Sequence, residues 1–293
     1  MILPKEIQHQ ISKIENIATL PDVALKVLEA IQDSQSNMNQ ISKIIEKDAS
    51  IAARLLKVAN SPYWGFSGKI DNIQRSLVLL GLREVSNIII AVSIFTAFTK
   101  LKPKSSFDRD NFWLHASGTG QIARRFAKNI QLNFQGEEFV AALIHDLGKL
   151  ILDQFFSEEF KQILTRSQES GSLPMESEEK FFGFNHSHIA AWLLKRWNIP
   201  ESIVYSVNYH HVPQEASEHQ PLVAVVHLSD IICEKWGIGS DSDVKNISLK
   251  ENSAWDILVK YRPELSELDL DKFTDELKIE IENDQLFMAL ISD

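Results

Sequence analysis

The sequence specifies an all-α protein, a bundle of many helices. Three observations carry that expectation. Apolar residues recur at spacings of three and four along nearly the whole chain, which gathers them on one side of a 3.6-residue helix. No stretch shows the sustained alternation of a half-buried strand, and no low-complexity tract or fixed-period repeat interrupts the pattern. Third, residues 140–151, VAALIHDLGKLI, are apolar on every side, as a helix buried all round must be.

With 293 residues the chain is long enough for one large domain or two modest ones. Forty acidic residues against 30 basic ones leave a net charge of −10, which argues against nonspecific nucleic-acid or anionic-membrane binding. The one cysteine, Cys233, excludes an intrachain disulfide and fits a reducing compartment. The start, MILPKEIQHQ, has no basic segment followed by an apolar one, so no signal peptide is expected. The longest apolar run, residues 88–98, is interrupted by Ser93 and Thr96 and is too short to span a bilayer. A cytoplasmic protein is the expectation.

Taken in order, Ile7, Ile11, Ile14 and Ile17 give residues 1–19 a short amphipathic helix ending near Leu20 and Pro21. Val23, Val27, Ala30 and Ile31 continue the period to residue 33, and SQSNMNQ reads as a polar connector. Ile41, Ile44 and Ile45 mark a third helix, and Asp48 can accept from the free N–H groups of a fourth, residues 49–59. Asn60-Ser61-Pro62 ends it, because the residue before proline is pushed out of helical geometry. YWGFSGK follows as a loop with Gly65 and Gly68. Asp71 with Gln74 forms a capping-box pattern for residues 72–80, Gly81 supplies the C-terminal cap, and 82–99 is a long apolar helix. Pro103, Ser105 and Ser106 mark a boundary between an N-terminal half, 1–104, and a core, 105–236. Helices are expected there near 108–129, 140–151, 155–169, 175–182, 186–197, 200–211 and 221–236. Residues 237–293 form an acidic helical appendage, where Leu265, Leu268 and Leu270 lead into a helix near 273–290.

The chemistry lies inside the most apolar stretch, where His145 and Asp146 sit side by side. Burying an unpaired carboxylate costs on the order of several kcal/mol, so something cationic must meet Asp146. A metal ion would serve, as would His145 as an imidazolium, or Lys149 from one turn on. The other histidines bear on the choice. His115 shares a helix face with Phe112, Ile122 and Phe126, and His186 with Ala190, Leu193 and Trp197. His210 and His211 follow Ile203, Val204 and Val207, and Asp230 lies below Val223 and Val226. One histidine on an apolar face is usually a satisfied core residue. Five helices each turning a histidine or carboxylate inward require mutual compensation, which two metal ions would supply. His9, His188, His219 and His227 lack this placement or have plainer structural readings.

The order His115, His145-Asp146, Asp230 resembles the HD superfamily of metal-dependent phosphohydrolases, and the added His186 and His210-His211 resemble the second-metal ligands of its HD-GYP branch. The resemblance implies that Asp146 bridges two ions. One ion would take His115, His145, Asp146 and Asp230, and the other Asp146, His186, His210 and His211. It also implies that Lys149, in HDLGK, approaches substrate phosphate in an active enzyme. The segments LPDVALKVLEAI, IIEKDASIAARLLKVANSPYW and IQRSLVLLGLREVSNIII, with FWLHASGTGQIA and FFGFNHSHIAAWLLKRWNIP, are similar to HDOD domains, an HD-related output module of bacterial signalling. That resemblance spans residues 15–235 and implies a bacterial source, an N-terminal helical bundle packed on an HD-like bundle, and a regulatory role without established hydrolase activity. The GYP segment is missing, since Val212-Pro213-Gln214-Glu215 follows the histidine pair, yet every ligand position is retained.

The expectation is therefore a signalling protein with a buried His/Asp site for one or two divalent transition-metal ions, iron, manganese or zinc. It would act by binding a protein signalling partner or a nucleotide ligand. The alternatives are a phosphohydrolase acting on a nucleotide or cyclic dinucleotide, whose metals activate water and neutralise phosphoryl oxygens with help from Lys149, and a metal-free helical scaffold. Nothing in the sequence resembles a receiver, kinase or cyclase domain, so input would arrive by binding.

Overall fold

In the computed structural model, the described residues are 4–12, 20–32, 36–61, 64, 66–99, 107–170, 172–239 and 247–282. They form helices and connecting turns, with no strand among them. Ile14, Ile17, Pro62, Gly65, the boundary residues Pro103, Ser105 and Ser106, and residues 283–290 lie outside the described residues.

The N-terminal half holds α1 (Lys5–Ser12), α2 (Asp22–Gln32), α3 (Met38–Ile45), α4 (Ala49–Ala59), α5 (Ile73–Leu80) and α6 (Leu82–Thr99). Asp48 caps α4 as expected, accepting from the backbone N–H of Ser50 and Ile51. Two local expectations fail because asparagine, with its own side-chain acceptor, takes the cap instead. Asn37 forms a capping box with Gln40, so α3 begins inside the supposed connector. Asn72 caps α5, while Gln74 donates across to Asn39 of α3. Gly81 ends α5 at φ 85°, in the left-handed region that favours glycine. Helix α6 is, among the described residues, the one long and apolar enough to cross a membrane. Its apolar positions are instead covered by α2, α4, α5 and α8.

The core holds α7 (Arg109–Asn129), α8 (Glu137–Ile144), α9 (Leu147–Phe155), α10 (Ser157–Ser170), α11 (Pro174–Phe182), α12 (His186–Arg196), α13 (Glu201–Tyr209) and α14 (Gln220–Lys235). Helix α8 is central, packed by α6, α7, α13 and α14. The expected single helix over 140–151 is broken: α8 stops at Ile144, His145 and Asp146 form a turn, and α9 starts at Leu147. The junction between the halves is polar at one point. Arg124 of α7 pairs with Glu84 of α6 and lies over the rings of Trp64 and Phe139, 4.5 and 5.4 Å from their centroids. Buried beside it, Glu138 accepts from the backbone N–H of Gly136 at 3.1 Å. Burial pushes its carboxyl up to about 7, against the pull of Arg124.

Beyond α14, the turn Gly237–Ile238–Gly239 doubles back onto α7. Gly239 has φ 62°, and a Cβ there would fall 2.4 Å from both the carbonyl oxygen of Asn111 and the amide nitrogen of His115. Helix α15 (Ser253–Tyr261) then packs on α14, and α16 (Leu270–Glu282) on α7, with Phe273 5.3 Å from Phe126 between ring centroids. Trp255, Leu258, Phe273 and Leu277 join the same hydrophobic core as the helices before them.

Candidate metal centre

All seven residues singled out in the sequence converge at one place. His115 comes from α7, His145 and Asp146 from the α8–α9 turn, His186 from the first position of α12, His210 and His211 from the turn after α13, and Asp230 from α14. A close approach of backbones makes this possible. At Gly148 an added Cβ would lie 1.9 Å from the carbonyl oxygen of His186, so the start of α9 seats directly on the start of α12. Asn185, capped reciprocally with His188, begins α12 at the point that delivers His186. His188 Nδ1 accepts from the backbone N–H of Asn185 at 3.2 Å in that cap.

Separations between the inward atoms are alike. His115 Nε2 is 2.9 Å from Asp230 Oδ1, and His145 Nε2 is 3.4 Å from both Asp230 Oδ1 and Asp146 Oδ2. On the other side Asp146 Oδ1 lies 3.1 Å from His186 Nε2 and 3.7 Å from His210 Nε2, while His186 and His211 bring their Nε2 atoms to 2.9 Å. Neighbouring donors around one ion at about 2.1 Å sit about 3–3.5 Å from each other, and all of these edges but the 3.7 Å one match. Asp146 belongs to a group with His186, His210 and His211 and to another with His115 and His145; His145, His210 and Asp230 make a third.

The ring orientations are set from behind. His145 Nδ1 donates to the carbonyl of Ala142 at 2.6 Å, His210 Nδ1 to that of Val207 at 2.8 Å, and His115 Nδ1 to that of Ile238 at 3.3 Å. His186 Nδ1 donates to Glu178 Oε2 at 2.7 Å. Each ring therefore turns Nε2 inward, the arrangement that metal-ligating imidazoles adopt. His145 Nε2, His210 Nε2 and Asp146 Oδ1 are buried there without a hydrogen-bond partner. Buried polar atoms are rarely left so, and a divalent cation is the group that this donor set fits.

The charged groups also act on one another. Burial pushes the imidazoles down, but the carboxylates of Asp146 and Asp230 bring His145 up to about 10, and His115 and His186 are raised by Asp230 and by Glu178 with Asp146. Three raised histidines thus face three carboxylates. Asp146 stays below its usual range, despite burial, through Lys149 and His145; Asp230 does so through His145 and His115, and Glu178 through His186. Burial dominates at His210 and lowers it to about 4, leaving a neutral ring. Lys149 donates to Asp146 Oδ2 at 2.5 Å, so the pairing one helical turn on that the sequence allowed is present too. His145, Asp146, His186 and His210 are sealed in; Lys149, with 22% of its side chain exposed, and the half-buried His211 form the outward edge.

Two supporting residues were not foreseen. Glu178 stands in the acidic run MESEEK, which reads as a solvated face; its one sequence signal is Phe182 a turn later on the same side. His227 donates from Nδ1 to the carbonyl of His210 at 2.5 Å and accepts at Nε2 from Asn252, the cap of α15, at 3.0 Å.

The fold is all-helical among the described residues and gathers these His and Asp side chains in one buried cluster. The HDOD domain model matches residues 17–213, and the chain belongs to the HDOD family. An uncharacterized protein of Treponema pallidum (strain Nichols) is 25% identical over 243 residues, covering 79% of this chain and 47% of that protein. The chain thus spans about half the length of that relative. Among solved structures, an HDOD domain protein of unknown function from Geobacter sulfurreducens has a TM-score of 0.79 at 24% identity, covering 97% of this chain and 96% of that one. A proposed phosphohydrolase from Shewanella amazonensis SB2B has a TM-score of 0.69 at 20% identity, covering 96% of each. Both likenesses establish the fold.

Proposed function

We propose that the chain is a regulatory HDOD module whose buried centre holds one or two divalent transition-metal ions and which acts by binding a signalling partner or nucleotide ligand. The observation that carries the metal is the set of buried, unpartnered atoms, His145 Nε2, His210 Nε2 and Asp146 Oδ1, ringed by further donors at coordination-edge distances. One ion would be held by His115, His145, Asp146 and Asp230, the other by Asp146, His186, His210 and His211. Iron, manganese and zinc all suit such a nitrogen and oxygen set. A closed coordination shell favours a structural or sensing role over turnover, and the burial of the ligand atoms supports it. In place of a GYP segment, the turn Pro213–Glu215 is packed under α15, with Ser253 donating to Gln214 at 3.1 Å.

The test is elemental analysis of untagged protein prepared anaerobically. One to two equivalents of a transition metal are expected in the wild type. Asp146→Ala should lose both ions and His186→Ala chiefly one. Metal at trace level in the wild type overturns the reading.

One observation favours a second reading, a metal-dependent phosphohydrolase acting on a nucleotide or cyclic dinucleotide. Lys149 and His211 give the centre an outward edge, and a lysine there can meet a phosphate. Bound metal would supply electrophilic stabilisation of phosphoryl charge. Slow phosphoester hydrolysis in added manganese, abolished in Asp146→Ala, would support it. Cyclic-di-GMP is expected to be a poor substrate, and robust turnover of it by wild type alone would reverse the order of the two readings.

A further inference from the structure

We propose that Glu178 is a positioning residue for the ion on the His186 side: it fixes Nε2 as the ligand atom of His186 and lends that ion a carboxylate at one remove. The inference rests on the metal-centre reading above. Glu178 Oε2 accepts from both the backbone N–H and the Nδ1–H of His186, each at 2.7 Å. With Nδ1 committed as a donor, Nε2 is the atom that faces Asp146 Oδ1 at 3.1 Å and His211 Nε2 at 2.9 Å. Glu178 is fully buried, and its Oε1 has no hydrogen-bond partner.

The clamp differs in kind from its neighbours. His115, His145 and His210 are held through Nδ1 by backbone carbonyls, which orient a ring but carry no formal charge. Glu178 both orients and charges. A carboxylate behind an imidazole strengthens the ring as a metal donor, and losing such a partner costs about 10–100-fold in metal affinity. It also evens the two sides of the centre. Asp230 serves the His115 and His145 side directly, Asp146 lies between, and Glu178 gives the His186 side a carboxylate of its own. As plain structure, the arrangement is expensive: an apolar residue would fill the site without a buried, half-satisfied carboxylate.

The experiment compares metal-free wild type, Glu178→Gln and His186→Ala. Each is titrated with Co²⁺ followed by visible absorption, and with Zn²⁺ against a competing chelator. In Glu178→Gln the ion that His186→Ala loses is expected to bind about 10–100-fold more weakly, with any second ion unchanged. Glutamine keeps the shape and the acceptor but gives up the charge that pairs with His186, so the metal-free melting temperature of each protein is recorded and the two ions are compared within one variant. Selective weakening of that one ion is a result that a merely structural role, which would loosen the whole centre, would not give. Glu178→Gln binding like wild type while His186→Ala loses metal overturns the proposal, as does equal weakening of both ions or His186→Ala keeping all its metal. Wild type that binds neither Co²⁺ nor Zn²⁺ instead fails the centre itself and is recognised from that titration alone. Long-range ¹H–¹⁵N NMR of zinc-loaded wild type tests the same point without a variant. Zinc on Nε2 of His186 with a proton on Nδ1 supports the clamp, and zinc on Nδ1 refutes it.

Discussion

Gly148 shows how much of the centre depends on a single missing methyl group. The carbonyl oxygen of His186 would stand 1.9 Å from an added Cβ, and no rotamer relieves a clash between Cβ and backbone. Gly148→Ala must therefore push α9 away from α12, carrying Asp146 from His186. A loss of about 3 kcal/mol or more is expected, at the upper end of overpacking costs. Metal content should fall with it. Denaturant unfolding and elemental analysis check both, and wild-type values would mean the two helix starts are not held in contact. The seven candidate ligands were legible in the sequence because each sets a polar group on an otherwise apolar face, which chemistry must compensate. What holds them was not. The Nδ1 partners of His115, His145 and His210 are backbone carbonyls, which leave no trace in residue type, and Glu178 hides in a run of glutamates.

Among the elements, helical periodicity located most helices but not α15, and the errors in helix bounds fall where a local hydrogen bond outweighs it. Uniform apolarity over 140–151 concealed the break at His145, where a side chain bonded to the carbonyl of Ala142 and a turn through Asp146 replace a helical continuation. The junction of α6, α7 and α8 was also invisible, because Glu84, Arg124 and Glu138 meet only across the two halves. It yields a prediction about pH. Glu138 titrates at about 7 in the fold, against about 4.5 for an ordinary glutamate, so the folded state holds the proton more tightly than the unfolded one. The stability this lends is complete below pH 4.5 and is lost as pH rises to about 7. Glu138→Gln keeps an acceptor for the Gly136 N–H and cannot ionise. Relative to wild type it should gain stability between those limits, by about 1–3 kcal/mol above pH 7, with Glu84, Arg124 and Lys128 as the charged neighbours. Parallel unfolding curves at pH 5 and pH 8 decide it. An equal difference at both pH values would refute the buried-acid account.

For the whole molecule, a centre built by six helices of the core would make the affinity for the proposed metal part of the folding free energy. Stripping the ions with a chelator is expected to lower the melting temperature by roughly 5–10 °C. Asp146→Asn, which keeps shape but loses charge, should melt below loaded wild type and respond little to chelator. An unchanged wild-type curve, with metal loss confirmed, would mean that the site adds nothing to the fold. The turn at Ile238 and the cap at Asn252 carry this further. The family match ends at residue 213, yet Ile238 secures His115, and Asn252 reaches His210 through His227. One thread from the last 57 residues thus runs to each side of the centre. Such coupling is reciprocal: what steadies the tail must tighten the metal, and metal must steady the tail by the same free energy. Amide exchange in α15 should therefore slow when metal is loaded and quicken when it is stripped, and rates indifferent to metal would show the threads to be slack. The stretch that the family match spans is shorter than the stretch whose hydrogen bonds reach the centre.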